Sequence, residues 1–189
     1  LNQKEKLIAL LPGSRQQEIN NHWGIYIKTV AMLKKVYPNL QVIIAKSNNV
    51  NFPKVDKSFK IEKNAKKAII ASDIAIVASG TATLECAIEG TPLVVCYKVS
   101  SLTWLLAKLM VKVKHSSIVN LIAGEKIVPE FLQSEMKPNI IKNKLIELLD
   151  EKSKIRNQMI EDFLIIKNKL GTPGVYAKIA NEILKATKT

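Results

Sequence analysis

Short apolar runs alternate with helically spaced apolar positions over the first hundred residues. Residues 6–11 read as a strand that stops at Pro12-Gly13, and from Gln16 the apolar side chains fall at Ile19, Trp23, Ile27, Val30 and Leu33, one face of a helix that Pro38 ends. Residues 40–45, "LQVIIA", predict a second buried strand, followed by a polar loop with Ser47, Asn48 and Asn49. Residues 59–62 predict a short third strand and 63–72 a short helix. A further apolar strand follows at 73–78, "DIAIVA"; "SGTATLECAIEG" then makes a turn and a helix before the strand at 92–97, "PLVVCY".

Strands this apolar need cover on both faces, and helices lie between them in sequence. That is the βαβ pattern of an α/β, Rossmann-like, doubly wound parallel sheet. Beyond residue 101 the pattern is helical, with apolar spacing over 102–113, 140–149, 155–166 and 175–184. No linker, repeat or low-complexity block divides the 189 residues, so one domain over 1–189 is expected, its helices from about residue 138 packing on it or crossing to another domain or subunit. Leu1 stands in place of an initiator methionine and a strand begins a few residues later, as expected of part of a longer chain. No apolar run reaches the ~18 to 20 residues needed to span a bilayer.

Composition changes this picture in two ways. The formal charge is +13, which raises nucleic acid as a partner, but the lysines are scattered and only two of the 29 basic residues are arginines, Arg15 and Arg156. A phosphorylated ligand or an anionic membrane surface fits the sign equally well, and no nucleic-acid partner is expected. Cys86 and Cys96 are too few for a disulfide framework and sit among apolar neighbours, which suits a reduced cytosolic setting. Neither His22 nor His115 has ligands at metal spacing, so no metal is assigned.

Ligands of open parallel sheets bind at the carboxyl ends of the strands. Two turns occupy such ends: Pro12-Gly13-Ser14-Arg15, and Ser79-Gly80-Thr81 ahead of a helix. In the second, glycine admits close backbone approach, Ser79 and Thr81 add hydroxyl donors, and the helix N-terminus carries about half a positive charge, a combination that binds an anion, most naturally a diphosphate. Glu85 lies four residues after Thr81, one turn or about 5.4 Å behind, where a carboxylate accepts two hydrogen bonds from a ribose diol. The bland alternative is an ordinary capped helix with a solvated Glu85. Arg15 weighs against it, because a cation at a helix start opposes the dipole and asks for an anion.

"LLPGSRQQEI", "ASDIAIVASGTATLECAIEGTPLVVCYK" and "VNLIAGEKIVPEFLQ", in this order, resemble the lipid-A-disaccharide synthase family, inverting glycosyltransferases of the GT-B type. The resemblance covers nearly the whole chain and matches the C-terminal, donor-binding half of such an enzyme. It implies transfer from UDP-2,3-diacylglucosamine to 2,3-diacylglucosamine 1-phosphate with release of UDP, and no metal or redox cofactor. It places Arg15 on the departing UDP, Ser14, Ser79, Gly80, Thr81 and Ala82 around the diphosphate, Glu85 on the ribose, and Asn120 at the sugar-phosphate region, with Glu130 and Gln133 in support.

The family's general base belongs to an N-terminal domain and has no counterpart here, so the chain alone is expected to bind the nucleotide and transfer little. A lipid-handling enzyme of this kind is expected at the inner face of the bacterial inner membrane, and "SLTWLLAKLMVKVKHS" offers an amphipathic basic helix that suits an anionic membrane as well as a core. A homodimer is also admitted. The other readings of the same residues are a UDP-N-acetylglucosamine 2-epimerase, another UDP-sugar enzyme, or a non-catalytic nucleotide- or nucleic-acid-binding module.

Overall fold

The computed structural model describes residues 5–100, 115–171 and 174–186, except the side chains of 175–178, 181 and 182. Six strands form one parallel sheet: β1 (Leu7–Leu11), β2 (Gln41–Ala45), β3 (Lys60–Glu62), β4 (Ile74–Val77), β5 (Leu93–Tyr97) and β6 (Glu130–Leu132). Their spatial order is β3-β2-β1-β4-β5-β6, so the chain reverses direction across the sheet between β1 and β4. Register is set by pairs such as Ala9 with Ile43 on one side and Ala75 on the other.

The central strands are apolar because both faces are covered. Ile8 to Leu10, Ile74 to Val77 and Leu93 to Cys96 are all fully buried. Helices α1 (Gln16–Lys34) and α5 (Pro138–Leu149) cover one face; α2 (Ala65–Ala71), α3 (Thr81–Glu89), α4 (Ile118–Ala123) and α6 (Lys154–Lys169) cover the other, and α7 (Val175–Ala186) follows. Each large aliphatic side chain buried this way contributes roughly 1.5–3 kcal/mol, and the strands share them with the helices and connections that cover the sheet. Of the C-terminal helices, α5 buries Ile141, Leu145 and Leu148 in this core, and α6 buries Met159, Phe163 and Ile166.

The apolar strands and their order along the chain match the sequence expectation. The sixth strand does not: Val95, Cys96 and Tyr97 pair with Glu130, Phe131 and Leu132, in a stretch expected to be helical or irregular. Three residues, the first a glutamate, carry no strand period that could be read beforehand. The amphipathic basic segment 101–116, which suits an anionic membrane as well as a core, lies outside the described residues up to residue 114. No helix among the described residues is long and apolar enough to cross a membrane.

One of the two arginines is explained by the fold. Arg156 donates from Nη1 to the carbonyl of Leu148 at 2.7 Å and of Asp73 at 3.3 Å, so it satisfies the C-terminal end of α5 and ties it to the start of β4. A cation is favoured at a helix C-terminus by the dipole. Arg15 has no such account within the fold.

Candidate functional site

A cleft of about 600 Å³ lies over the carboxyl ends of β2, β1 and β4, at the point where the strand order reverses. Its size is that of a small-molecule pocket. Leu11, Ala45 and Ala78 form its floor, and three connections form its walls: Gly13 to Arg15 with Glu18, Lys46 to Asn49, and Ser79 to Ala82 with Glu85. Lys63 and Ala65 complete the rim.

The turn after β1 is shaped by Glu18. Its Oε2 accepts the backbone N–H of Ser14 at 2.9 Å and of Arg15 at 3.2 Å, which folds the turn back over the first residues of α1. Gly13 is required there twice over: its φ is +118°, and a Cβ would collide with the Glu18 carboxylate. Arg15 is the N-cap residue of α1 and offers no side-chain acceptor, and Glu18 in the first turn closes back on the Arg15 amide as in a capping box. The Arg15 guanidinium lines the cleft and makes no ion pair with any described residue.

The turn after β4 repeats the arrangement. Gly80, the N-cap of α3, has φ 145° and ψ −164°, a conformation essentially confined to glycine, and a Cβ on it would meet only open space. Its carbonyl accepts both the amide of Thr83, at 3.2 Å, and the Thr83 hydroxyl, at 2.8 Å. No side chain caps α3, so the amides of Thr81 and Ala82 are left for a ligand. By contrast, α2, α4 and α6 receive side-chain caps from Asn64, Ser117 and Ser153. The uncapped start of α3, with its positive dipole end, and the Arg15 guanidinium from the start of α1 border the same space.

Ser79 behaves differently from expectation. Its hydroxyl proton is donated to the carbonyl of Ser116 at 2.6 Å, so it tethers the turn and is not a free donor to an anion. Glu85 borders the cleft from the second turn of α3 and is only partly buried, so its carboxylate remains accessible. Burial, and then the Glu85 charge, push the neighbouring Cys86 thiol far up, and burial does the same to Cys96. Neither is a thiolate nucleophile.

The wall supplied by the β2–β3 connection was not recognised beforehand as part of the site. Lys46, Asn48 and Asn49 of that connection, and Lys63 just after β3, border the cleft and add two cations to its rim. Gln16 fixes this wall: its side-chain amide donates to Asn51 O at 2.9 Å and accepts from Asn51 N at 2.8 Å, as a neighbouring strand would. Trp23 packs edge-on against Phe52, with ring centroids 4.9 Å apart. Only the fold brings these lysines to the nucleotide-sized space, since neither carries a local motif.

His22 anchors the Arg15 turn from beneath. The Lys98 amide donates to Nε2 at 3.0 Å, so Nδ1 carries the proton and donates to the Pro12 carbonyl at 2.8 Å. Burial holds its pKa below the ordinary 6.5, outweighing the opposing hydrogen bonds and the Glu18 charge. Below pH 6.5 the unfolded chain therefore takes up a proton that the folded chain refuses, and the stability His22 contributes is lost as the pH falls. Melting temperatures measured from pH 8 to pH 5 are expected to show a gap between wild type and His22→Asn that narrows below about pH 6.5; a gap constant over that range would remove His22 from the titration.

Three of the residues singled out in the sequence do not reach the cleft. Asn120 was expected at the sugar-phosphate region, but it is fully buried, and its amide is used up: Nδ2 donates to Val128 O at 2.9 Å and Glu130 Oε1 at 2.8 Å, while Oδ1 accepts Val128 N at 2.9 Å. Glu130 is 7% exposed and accepts hydrogen bonds from the Ser116 amide, the Ser117 amide and hydroxyl, and Asn120. Burial works to raise its pKa, but those donors, led by the Ser117 hydroxyl, outweigh it and hold the carboxyl below 4.5. Gln133, in the left-handed region at φ 50°, is aligned to pair its side-chain amide with both backbone groups of Val99, at 3.2 and 3.1 Å. These side chains brace the polypeptide around the site without bordering the ligand space.

Comparison with known proteins bears on the family and the fold. A family model described as lipid-A-disaccharide synthetase matches residues 1–172. The lipid-A-disaccharide synthase of Rickettsia prowazekii (strain Madrid E) is 36% identical over 183 residues, 90% of this chain and 47% of that protein. That of Myxococcus xanthus (strain DK1622) is 33% identical over 186 residues, 94% of this chain and 48% of that one. The chain thus spans about half the length of these curated relatives. Among solved structures, the glycosyltransferase SnogD from Streptomyces nogalater superposes with a TM-score of 0.61 at 12% identity, over 96% of this chain and 44% of that one. The spinosyn forosaminyltransferase SpnP gives 0.61 at 11% identity over 98% and 44%. At such identities the likeness is one of fold, the GT-B glycosyltransferase fold.

Proposed function

The chain belongs to the lipid-A-disaccharide synthetase family, and we propose that it forms the donor-nucleotide half of a hexosyltransferase that joins UDP-2,3-diacylglucosamine to 2,3-diacylglucosamine 1-phosphate and releases UDP. The observation that carries this reading is the convergence of the uncapped start of α3 and an arginine without an ion pair among the described residues on a cleft with Glu85 one helical turn behind the anion site. Diphosphate oxygens accept from the Thr81 and Ala82 amides and the Arg15 guanidinium, and the ribose diol donates to Glu85. As the glycosidic bond to UDP breaks, negative charge grows on the leaving phosphate. Arg15 then binds the transition state more tightly than the ground state, which is the part of its interaction that accelerates transfer.

The half described here provides no carboxylate placed to deprotonate an acceptor hydroxyl, since Glu85 is assigned to the ribose and Glu18 is spent on the turn. The base is assigned to an N-terminal domain, and the two halves together make the active enzyme, working at the inner face of the inner membrane where its lipid substrates lie. No metal is assigned a role in this scheme.

Calorimetric titration of the 189-residue chain with UDP, ADP and a DNA oligomer tests the reading. UDP is expected to bind more tightly than ADP, and DNA to bind weakly and in a strongly salt-dependent way. Tight DNA binding with no response to UDP would overturn it.

A further inference from the structure

Glu130 stands on β6, away from the cleft, yet it holds the far end of a continuous hydrogen-bonded path into it. The peptide group joining Ser116 to Ser117 is the link. Its carbonyl accepts the Ser79 hydroxyl at 2.6 Å, and its N–H donates to Glu130 Oε1 at 2.8 Å. One amide therefore carries a hydroxyl donor at one end and a carboxylate at the other. Donation to a carboxylate draws the peptide's electrons toward its oxygen and makes that oxygen a stronger acceptor, so the two bonds reinforce each other.

The carboxylate is kept ionised and aimed by further donors: the Ser116 amide at 3.0 Å, the Ser117 hydroxyl at 2.7 Å and the Asn120 amide at 2.8 Å. At the other end, Ser79 precedes Gly80, whose φ of 145° and ψ of −164° lie in a region that glycine enters without strain, so the glycine by itself does not fix the direction of the turn. The Thr83 hydroxyl holds the Gly80 carbonyl on the helix side, and the Ser79 tether holds the turn from the strand side, which together set the aim of the Thr81 and Ala82 amides.

We infer that Glu130 is a positioning residue for the anion-binding turn, acting through the Ser116–Ser117 peptide on the Ser79 hydroxyl. Its consequence for ligands rests on the donor-site reading above; the coupling itself does not. Asn120 serves the same path by orienting Glu130, which gives this buried amide a part in ligand binding without contact to the ligand.

Two measurements on the 189-residue chain separate these points. In ligand-free amide NMR spectra, Glu130→Gln and Ser79→Ala are each expected to shift the Gly80, Thr81 and Ala82 resonances in the same direction, while leaving those of β2 in place. In titrations with UDP and with uridine, each variant is expected to lose about tenfold in UDP affinity and little in uridine affinity, the size of one hydrogen bond's loss. The double variant is expected to lose about tenfold also, because both changes cut one path. Unmoved turn resonances in Ser79→Ala, which does not disturb the buried carboxylate, would overturn the coupling, as would an additive loss of about a hundredfold in the double variant. Absence of UDP binding by the wild-type chain would instead overturn the donor-site reading, with the coupling still decided by the spectra.

Discussion

Arg15→Ala, made in the enzyme that contains both halves, is expected to lower turnover by about 10²–10³-fold, the usual loss on removing one preorganised donor to developing charge. The loss in ground-state UDP affinity is expected to be smaller, about tenfold or less, because the Thr81 and Ala82 amides and the α3 dipole continue to hold the diphosphate. The reason for this split lies in what surrounds the guanidinium. It borders the cleft without an ion pair from any described residue, so among these no carboxylate competes for its charge as the leaving group departs. The carboxylate nearest in sequence, Glu18, is spent on the Ser14 and Arg15 backbone amides. Arg15→Lys is expected to recover part of the rate only, since an ammonium keeps the charge but not the two-pronged donor geometry. An unchanged rate in Arg15→Ala would remove the residue from the mechanism.

Much of this site was legible because its parts are local. A glycine after an apolar strand and before a helix specifies a backbone opening, and Glu85 four residues after Thr81 follows from helix geometry alone. The strands were legible for the related reason that burial on both faces leaves runs such as Ile74 to Val77 with no polar member. What escaped was whatever depends on the sheet being assembled. Lys46 and Lys63 stand 17 positions apart and have no motif; they meet at the cleft rim because β2 and β3 are neighbours at the sheet edge. Asn120 shows the converse failure. Its motif pointed to the sugar-phosphate region, but sequence gives no direction to a side chain, and this one turns inward to Val128 and Glu130.

The same limit applies to the hydroxyls of the anion turn. Ser79 and Thr81 look alike in sequence as donors, yet the structure commits the Ser79 proton to Ser116, leaving Thr81 and the backbone amides to meet the ligand. A turn that spends its serine on rigidity and keeps its amides free gains preorganisation: the donors need not be reorganised when the anion arrives.

Glu85→Gln is expected to reduce UDP affinity by between about tenfold and a hundredfold, the range for losing hydrogen bonds to a charged acceptor. Glutamine has the same length, but it presents one acceptor oxygen and a donor amide where the ribose diol also presents donors. Pyrophosphate is expected to respond in the opposite direction. The substitution removes a negative charge about one turn behind the anion, roughly 5.4 Å away, and so relieves a repulsion that free pyrophosphate feels without any compensating ribose contact. Its affinity should hold or rise slightly, and the rise should fade with added salt. A second comparison isolates the diol: wild type is expected to prefer UDP to its 2′-deoxy analogue, and Glu85→Gln to lose most of that preference. Equal losses for UDP and pyrophosphate would show that the carboxylate supports the fold of α3 and does not read the ribose, and the division of labour between the helix start and Glu85 would then have to be abandoned.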